Sequence, residues 1–148
     1  MQLLDDNGHG MALYVADYQF PDDPHPGKRR SWLIVYGTAH CPRGSWSFRW
    51  QALTPDDAID IARWLRQVAS GAGEPTLAFI EPALSFEHTW GEPGTIDLDI
   101  GFDLEFSPPW DRRPRAGDPF IVSCRRLTPA GLLRAADEWD SEIVPYPP

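Results

Sequence analysis

The chain is poor in cysteine, in basic residues and in long apolar runs, and each shortage excludes something. Cys41 and Cys124 are the only cysteines in 148 residues. A single pair follows no disulfide spacing rule, and neither C-x-x-C nor H-x-x-x-H occurs to frame a zinc site. No stretch approaches the ~20 consecutive apolar residues of a membrane helix. Thirteen Lys and Arg stand against 22 Asp and Glu, for a net charge of -9 and a pI near 4.7. A nucleic-acid binder needs a basic stripe, so that class is excluded, whereas a basic protein partner is permitted. Solubility alone also accounts for the charge. The start, MQLLDDNGHG, has neither a basic region nor an apolar core, which predicts no signal peptide, a cytoplasmic setting and reduced thiols. No G-x-S-x-G, P-loop or G-x-G-x-x-G motif is present.

What is present is a globular composition. Hydrophobic residues make up 42% of a length that suits one domain, taken as residues 1–148. The 16 prolines sit at segment joints as punctuation. Between them, 11–20, 31–39 and 45–53 read as strands. The period then changes. Thr54 is a helix N-cap, Pro55 takes the first helical position, and Asp56 and Asp57 face the positive end of the dipole. Ala58, Ile61, Ala62, Leu65, Val68 and Ala69 follow on one apolar face. Strands are predicted near 76–80, 84–90, 95–106 and 119–127. A second helix opens at Thr128 and Pro129, with Leu132, Ala136, Trp139 and Ile143 on one side. The order βββα-ββββα predicts an α+β fold: a mostly antiparallel curved sheet of about seven strands with two helices packed on it. Trp46, Trp50, Trp64, Trp90 and Trp139 fall on predicted apolar faces, and His88 reads as a satisfied core histidine.

The stretch TIDLDIGFDLEF, residues 95–106, alternates without a break. Read as one strand, it turns Ile96, Leu98, Ile100, Phe102, Leu104 and Phe106 one way and Asp97, Asp99, Asp103 and Glu105 the other. Matching buried faces across the hairpin with 84–90 sets Trp90 opposite Ile96, His88 opposite Leu98 and Phe86 opposite Ile100. Glu87 then faces Asp99, and Thr89 faces Asp97. A cross-strand pair of acids costs from a few tenths up to ~1 kcal/mol. Arg49, Arg125 or Arg126 could offset that, and a cationic partner could offset it better.

Acids and other ligating side chains invite several chemistries, and each meets an obstacle. A glycosidase pair needs one partly buried carboxylate, and an open face supplies no apolar wall for it. Calcium needs six to eight oxygens wrapped by a loop, and a flat strand spaces its ligands ~7 Å apart. Zinc could draw on His40, Cys41, Cys124 and one of His9, His25 or His88, but adjacent His and Cys in a strand point to opposite faces. The residues therefore predict no catalytic centre, no metal and no cofactor. Trp110 follows two prolines at the head of SPPWDRRPRAGD, beside Arg112, Arg113 and Arg115, and offers a contact point. A small-molecule or carbohydrate site there is the alternative reading.

The stretch FIEPALSFE at 79–87, with SWSF at 45–48 before a helix and Pro108, Pro109 and Trp110 after an alternating strand, resembles the WapI family of immunity proteins. The similarity runs from about 11 to 143. The resemblance implies a cytoplasmic, non-catalytic bacterial protein that binds and neutralises a toxin domain, commonly a nuclease. On this reading Glu87, Asp97, Asp99, Asp103, Glu105 and Trp110 are the expected partner-binding residues. Phe79, Leu84 and Phe86 would be core, and Glu81 would pair with a buried Arg or with backbone.

Overall fold

In the computed structural model, which describes residues 1–111 and 117–148, the chain forms two four-stranded antiparallel sheets and three helices. Sheet A takes β1 (Gln2–Leu4), β2 (Gly10–Tyr18), β3 (Leu33–Cys41) and β4 (Gly44–Leu53) in chain order. Sheet B takes β5 (Thr76–Ala78), β6 (Leu84–Trp90), β7 (Ile96–Phe102) and β8 (Phe120–Leu127), again in order. A single turn, α1 (Pro26–Arg29), precedes β3; α2 (Pro55–Ala69) joins the sheets and α3 (Pro129–Ile143) follows the second. The α+β class is as expected. The single sheet of about seven strands is corrected to two sheets of four. β1 adds the eighth strand; its three residues are too few to show a period.

The two helix starts follow from the same Leu-Thr-Pro triplet. Thr54 Oγ1 accepts from Asp57 N–H at 3.1 Å, and the Asp57 carboxylate accepts from Thr54 N–H at 2.9 Å. This reciprocal box satisfies two donors a bare helix end leaves open, and such caps are worth about 1 kcal/mol. Thr128 repeats half of it, accepting from Gly131 N–H. Helix α2 buries Ala58, Ile61, Ala62, Trp64, Leu65 and Val68, and α3 buries Leu132, Ala135, Ala136 and Trp139. The Trp139 indole donates to Ala58 C=O at 2.7 Å, and Arg66 on α2 bridges Asp137 and Asp140 on α3.

The inner faces of both sheets share this core. Phe48 and Trp46 from sheet A meet Phe102 from sheet B at ring separations of 5.4 and 5.1 Å. Trp64 on α2 lies against Phe86 and His88 on β6. Trp46, Trp64 and Trp139 are buried as expected. Trp50 and Trp90 are not: they are 43% and 54% exposed. Trp50 sits on β4, the margin of sheet A, two residues before the register slip at Ala52. Trp90 ends β6 at the hairpin loop, where its ring lies 4.9 Å from that of His88. A hydrophobic pattern marks a face, and these positions lie where that face runs out of cover.

Candidate protein-binding surface

The β6–β7 hairpin pairs in the expected register, with Trp90, His88 and Phe86 opposite Ile96, Leu98 and Ile100. Glu87 therefore stands opposite Asp99, and Thr89 opposite Asp97, on the outer face of sheet B. The next strand extends the row, since Asp99 pairs with Ser123 on β8. Ser123 Oγ donates to Asp99 at 2.6 Å. Arg125 reaches Asp99 at 3.3 Å and Asp97 at 3.6 Å. Asp97 also accepts the Arg126 backbone N–H at 2.8 Å, from a residue held at φ 61°. The Arg126 side chain reaches Glu92 at 3.8 Å. Two carboxylates are thus offset by the molecule's own arginine. Glu87 is exposed, and among the described residues no cation lies within ion-pair distance of it. Arg49, an expected partner, lies on sheet A instead.

The acidic strand is shorter than the alternation predicts. β7 ends at Phe102, and Leu104–Phe106 form a 3-10 turn with Leu104 at φ 48°. Asp103 is 2% exposed and does not belong to the outer face. Its carboxylate accepts from Leu104 N–H at 2.8 Å and from Gly117 N–H at 2.7 Å, so it caps this turn and ties it to the approach to β8. Phe106 still turns inward, which is why the two-residue pattern outlives the strand. Glu105 is exposed on the turn, away from the β6–β7 row. Glu81 also departs from expectation. Partial burial, and after it the Glu105 carboxylate, holds its pKa above the ordinary carboxylate range. No described cation pairs with it.

Trp110 is 38% exposed, but its ring is engaged by the fold. It packs edge-on against Trp46 at 5.5 Å and Phe120 at 6.3 Å, with Arg43 over its face at 6.0 Å. Gly44, at φ 143°, lies beneath it; a Cβ there would come within 3.4 Å of the ring. The Pro-Pro-Trp segment therefore latches onto the β3–β4 hairpin. Arg112, Arg113 and Arg115 lie outside the described residues. His88 is buried as expected but not satisfied: neither ring nitrogen has a hydrogen-bond partner. Cys124 is buried against Leu3 and His9 carbonyls, and burial pushes its thiol up to about 12, which removes it from nucleophilic chemistry. No group of three or more metal-ligating side chains converges among the described residues. No described helix is long and apolar enough to cross a membrane.

A second exposed face escaped the sequence reading. On the outer side of sheet A, Tyr14, Tyr36 and Arg49 form one row across β2, β3 and β4. The two rings stack at 5.4 Å, and the Arg49 guanidinium lies over Tyr36 at 5.8 Å. Thr38 and Ser47 make the next row, and a groove of about 380 Å³ runs between the two. Face matching applied to β2–β3–β4, as it was to β6–β7, would have brought these side chains together.

The FIEPALSFE stretch is now placed. Ala83, Leu84 and Phe86 are core, and Phe79 packs edge-on against Phe86. A family model described as the Immunity protein WapI-like family matches residues 2–147. The chain belongs to this family. Membership of the WapI-like immunity proteins assigns it to toxin immunity in general and to a family that is generally non-catalytic. No curated protein and no solved structure matches it.

Proposed function

We propose that this WapI-like immunity protein neutralises a cognate toxin domain by non-catalytic binding in the cytoplasm, and that the carboxylates on the outer face of sheet B attract a basic partner such as a nuclease. The family match over residues 2–147 carries the reading. Physical chemistry supports its acidic part. Glu87 opposite Asp99 is an unfavourable pair kept in solvent, and Arg125 offsets Asp97 and Asp99 but not Glu87. With Glu92 beside Arg126, four carboxylates stand against two guanidiniums, which leaves the region net acidic. A nuclease site is basic because it handles phosphate, and an acidic surface steers that encounter and discriminates against neutral partners. Glu105 and Trp110 would stand at the rim. Asp103, spent on the 3-10 turn, has no part in it.

The test is association of the full chain with the inactivated toxin domain encoded beside it. Glu87→Lys should slow association roughly three- to tenfold at low salt, with the difference closing as salt screens the field. Equal rates at low salt would remove the acidic face from the mechanism. Failure of the unaltered chain to bind the toxin or to rescue growth would remove the toxin reading as a whole.

A further inference from the structure

The outer face of sheet A plays no part in that electrostatic reading, yet its chemistry suits an anchor better than the acidic face does. Between Ile34 and His40 on β3, and between Ser45 and Gln51 on β4, the outward positions carry aromatics, hydroxyls and a single charge, Arg49. Tyr36 is 39% exposed at the centre. Tyr14 and Tyr36 stack on this face, whereas Tyr18, opposite the buried Leu33, meets Tyr146 edge-on against the core. Tyrosine and arginine are enriched at the energetic centres of protein interfaces, while Lys, Glu and Asp are depleted there. Tyrosine brings large area with few rotors to freeze, and hydroxyls supply adaptable bonds.

Arg49 indicates what the partner presents. Cross-strand stacking on Tyr36 holds its guanidinium in place. Among the described residues no carboxylate lies within ion-pair distance of it, although the chain carries 22 acids. Asp17, the nearest acid by register on that side of the sheet, stands opposite Ile34 and accepts its own neighbour's N–H, that of Tyr18, at 2.7 Å. A fixed, unpaired guanidinium set among tyrosine and threonine hydroxyls is a ready receptor for a carboxylate, by bidentate bonds.

We infer that the outer face of sheet A is the main contact for the toxin domain, with a partner carboxylate seated on Arg49 beside the Tyr14–Tyr36 stack. This rests on the toxin-binding reading and adds the surface that holds the toxin. A basic partner still presents individual carboxylates: the acidic face governs how often the two meet, and Arg49 with the tyrosines governs how long they stay.

The experiment uses the full chain, the same inactivated toxin domain as probe, and variants shown to be folded by circular dichroism. Tyr36→Ala and Arg49→Glu should each raise the dissociation rate roughly thirtyfold or more while leaving association within about threefold. Arg49→Lys should recover only part of the loss, because an ammonium lacks the planar fork. Hydrogen exchange on the unaltered complex, which needs no variant, should show new protection in β2–β4. Protection confined to residues 84–127, with Arg49→Glu binding as well as the unaltered chain, overturns this inference and leaves toxin binding standing. Self-association that Tyr36→Ala abolishes overturns it in favour of a second copy. An unaltered chain that neither binds the toxin nor rescues growth overturns the toxin reading and this inference together.

Discussion

Across β2, β3 and β4 the outward row of sheet A reads Tyr14, Tyr36, Arg49; across β6, β7 and β8 the outward row of sheet B reads Glu87, Asp99, Ser123. Both rows lie on four-stranded antiparallel sheets whose inner faces fill one core. They differ in how their polar groups are satisfied. On sheet B, Asp99 has Ser123 and Arg125, and Asp97 has Arg125 and a backbone donor. On sheet A, Arg49 has a ring beneath it and no acid among the described residues. Charge that is already paired on a solvated surface adds little to affinity, whereas an ordered donor without a partner retains its capacity to bind. On the inference drawn above, the abundance of acids in the sequence directs attention to the surface that steers and away from the one that holds.

The sharpest way to separate the sheets is a matched pair of glycine substitutions. A Cβ on Gly37 in β3 would lie too close to its neighbours: 2.1 Å from the Ala12 carbonyl oxygen and 2.8 Å from the Phe48 ring. A Cβ on Gly101 in β7 would meet chiefly the Ser85 hydroxyl at 2.3 Å, which can rotate away. Gly37→Ala should cost about 3 kcal/mol by urea denaturation and disturb the tyrosine row, while Gly101→Ala should cost about 1 kcal/mol. Equal losses would mean that the two sheets are equally forgiving.

Next in size is Asp103→Ala. Losing the cap on the 3-10 turn and its tie to Gly117 should destabilise by about 1–2 kcal/mol, measured in the same way. Toxin association should not change, because this acid faces inward; slower association would return it to the docking surface. The smallest effect is expected from Arg125→Ala. Its pairs are half exposed, so stability should move by less than about 1 kcal/mol. Association at low salt should quicken severalfold as the face becomes more acidic. Unchanged association would show that the field of sheet B does not reach the encounter.

Much of this was legible in the residues, and the exceptions have physical reasons. The β6–β7 register followed from matching oily faces, and both long helices announced themselves with Thr and Pro at their first turns. The end of β7 did not, because Phe106 reaches the core from a 3-10 turn as well as a strand would. Trp50 and Trp90 obey the alternation yet face water, since a one-dimensional pattern contains no sheet margin. The tyrosine row was hidden for a related reason: Tyr14 and Tyr36 stand inside stretches that read simply as strands, and only the pairing of three strands sets them beside Arg49. The family resemblance came from a motif that proves to be mostly core, so it recognised the fold more directly than the contact surface.

The carboxylates of α3 have a separate consequence. Glu138 accepts the backbone N–H of Gln2 at 2.9 Å, and Glu142 accepts that of Val15, also at 2.9 Å. Met1 takes the Leu13 N–H at 3.0 Å, so beyond the short β1 a helix side chain stands in for the missing neighbouring strand. A border closed in this way offers no template on which another molecule's extended segment could zip, and fibre growth from that rim is denied its first step. The same acids that add to the net charge thus also occupy donors along this one rim.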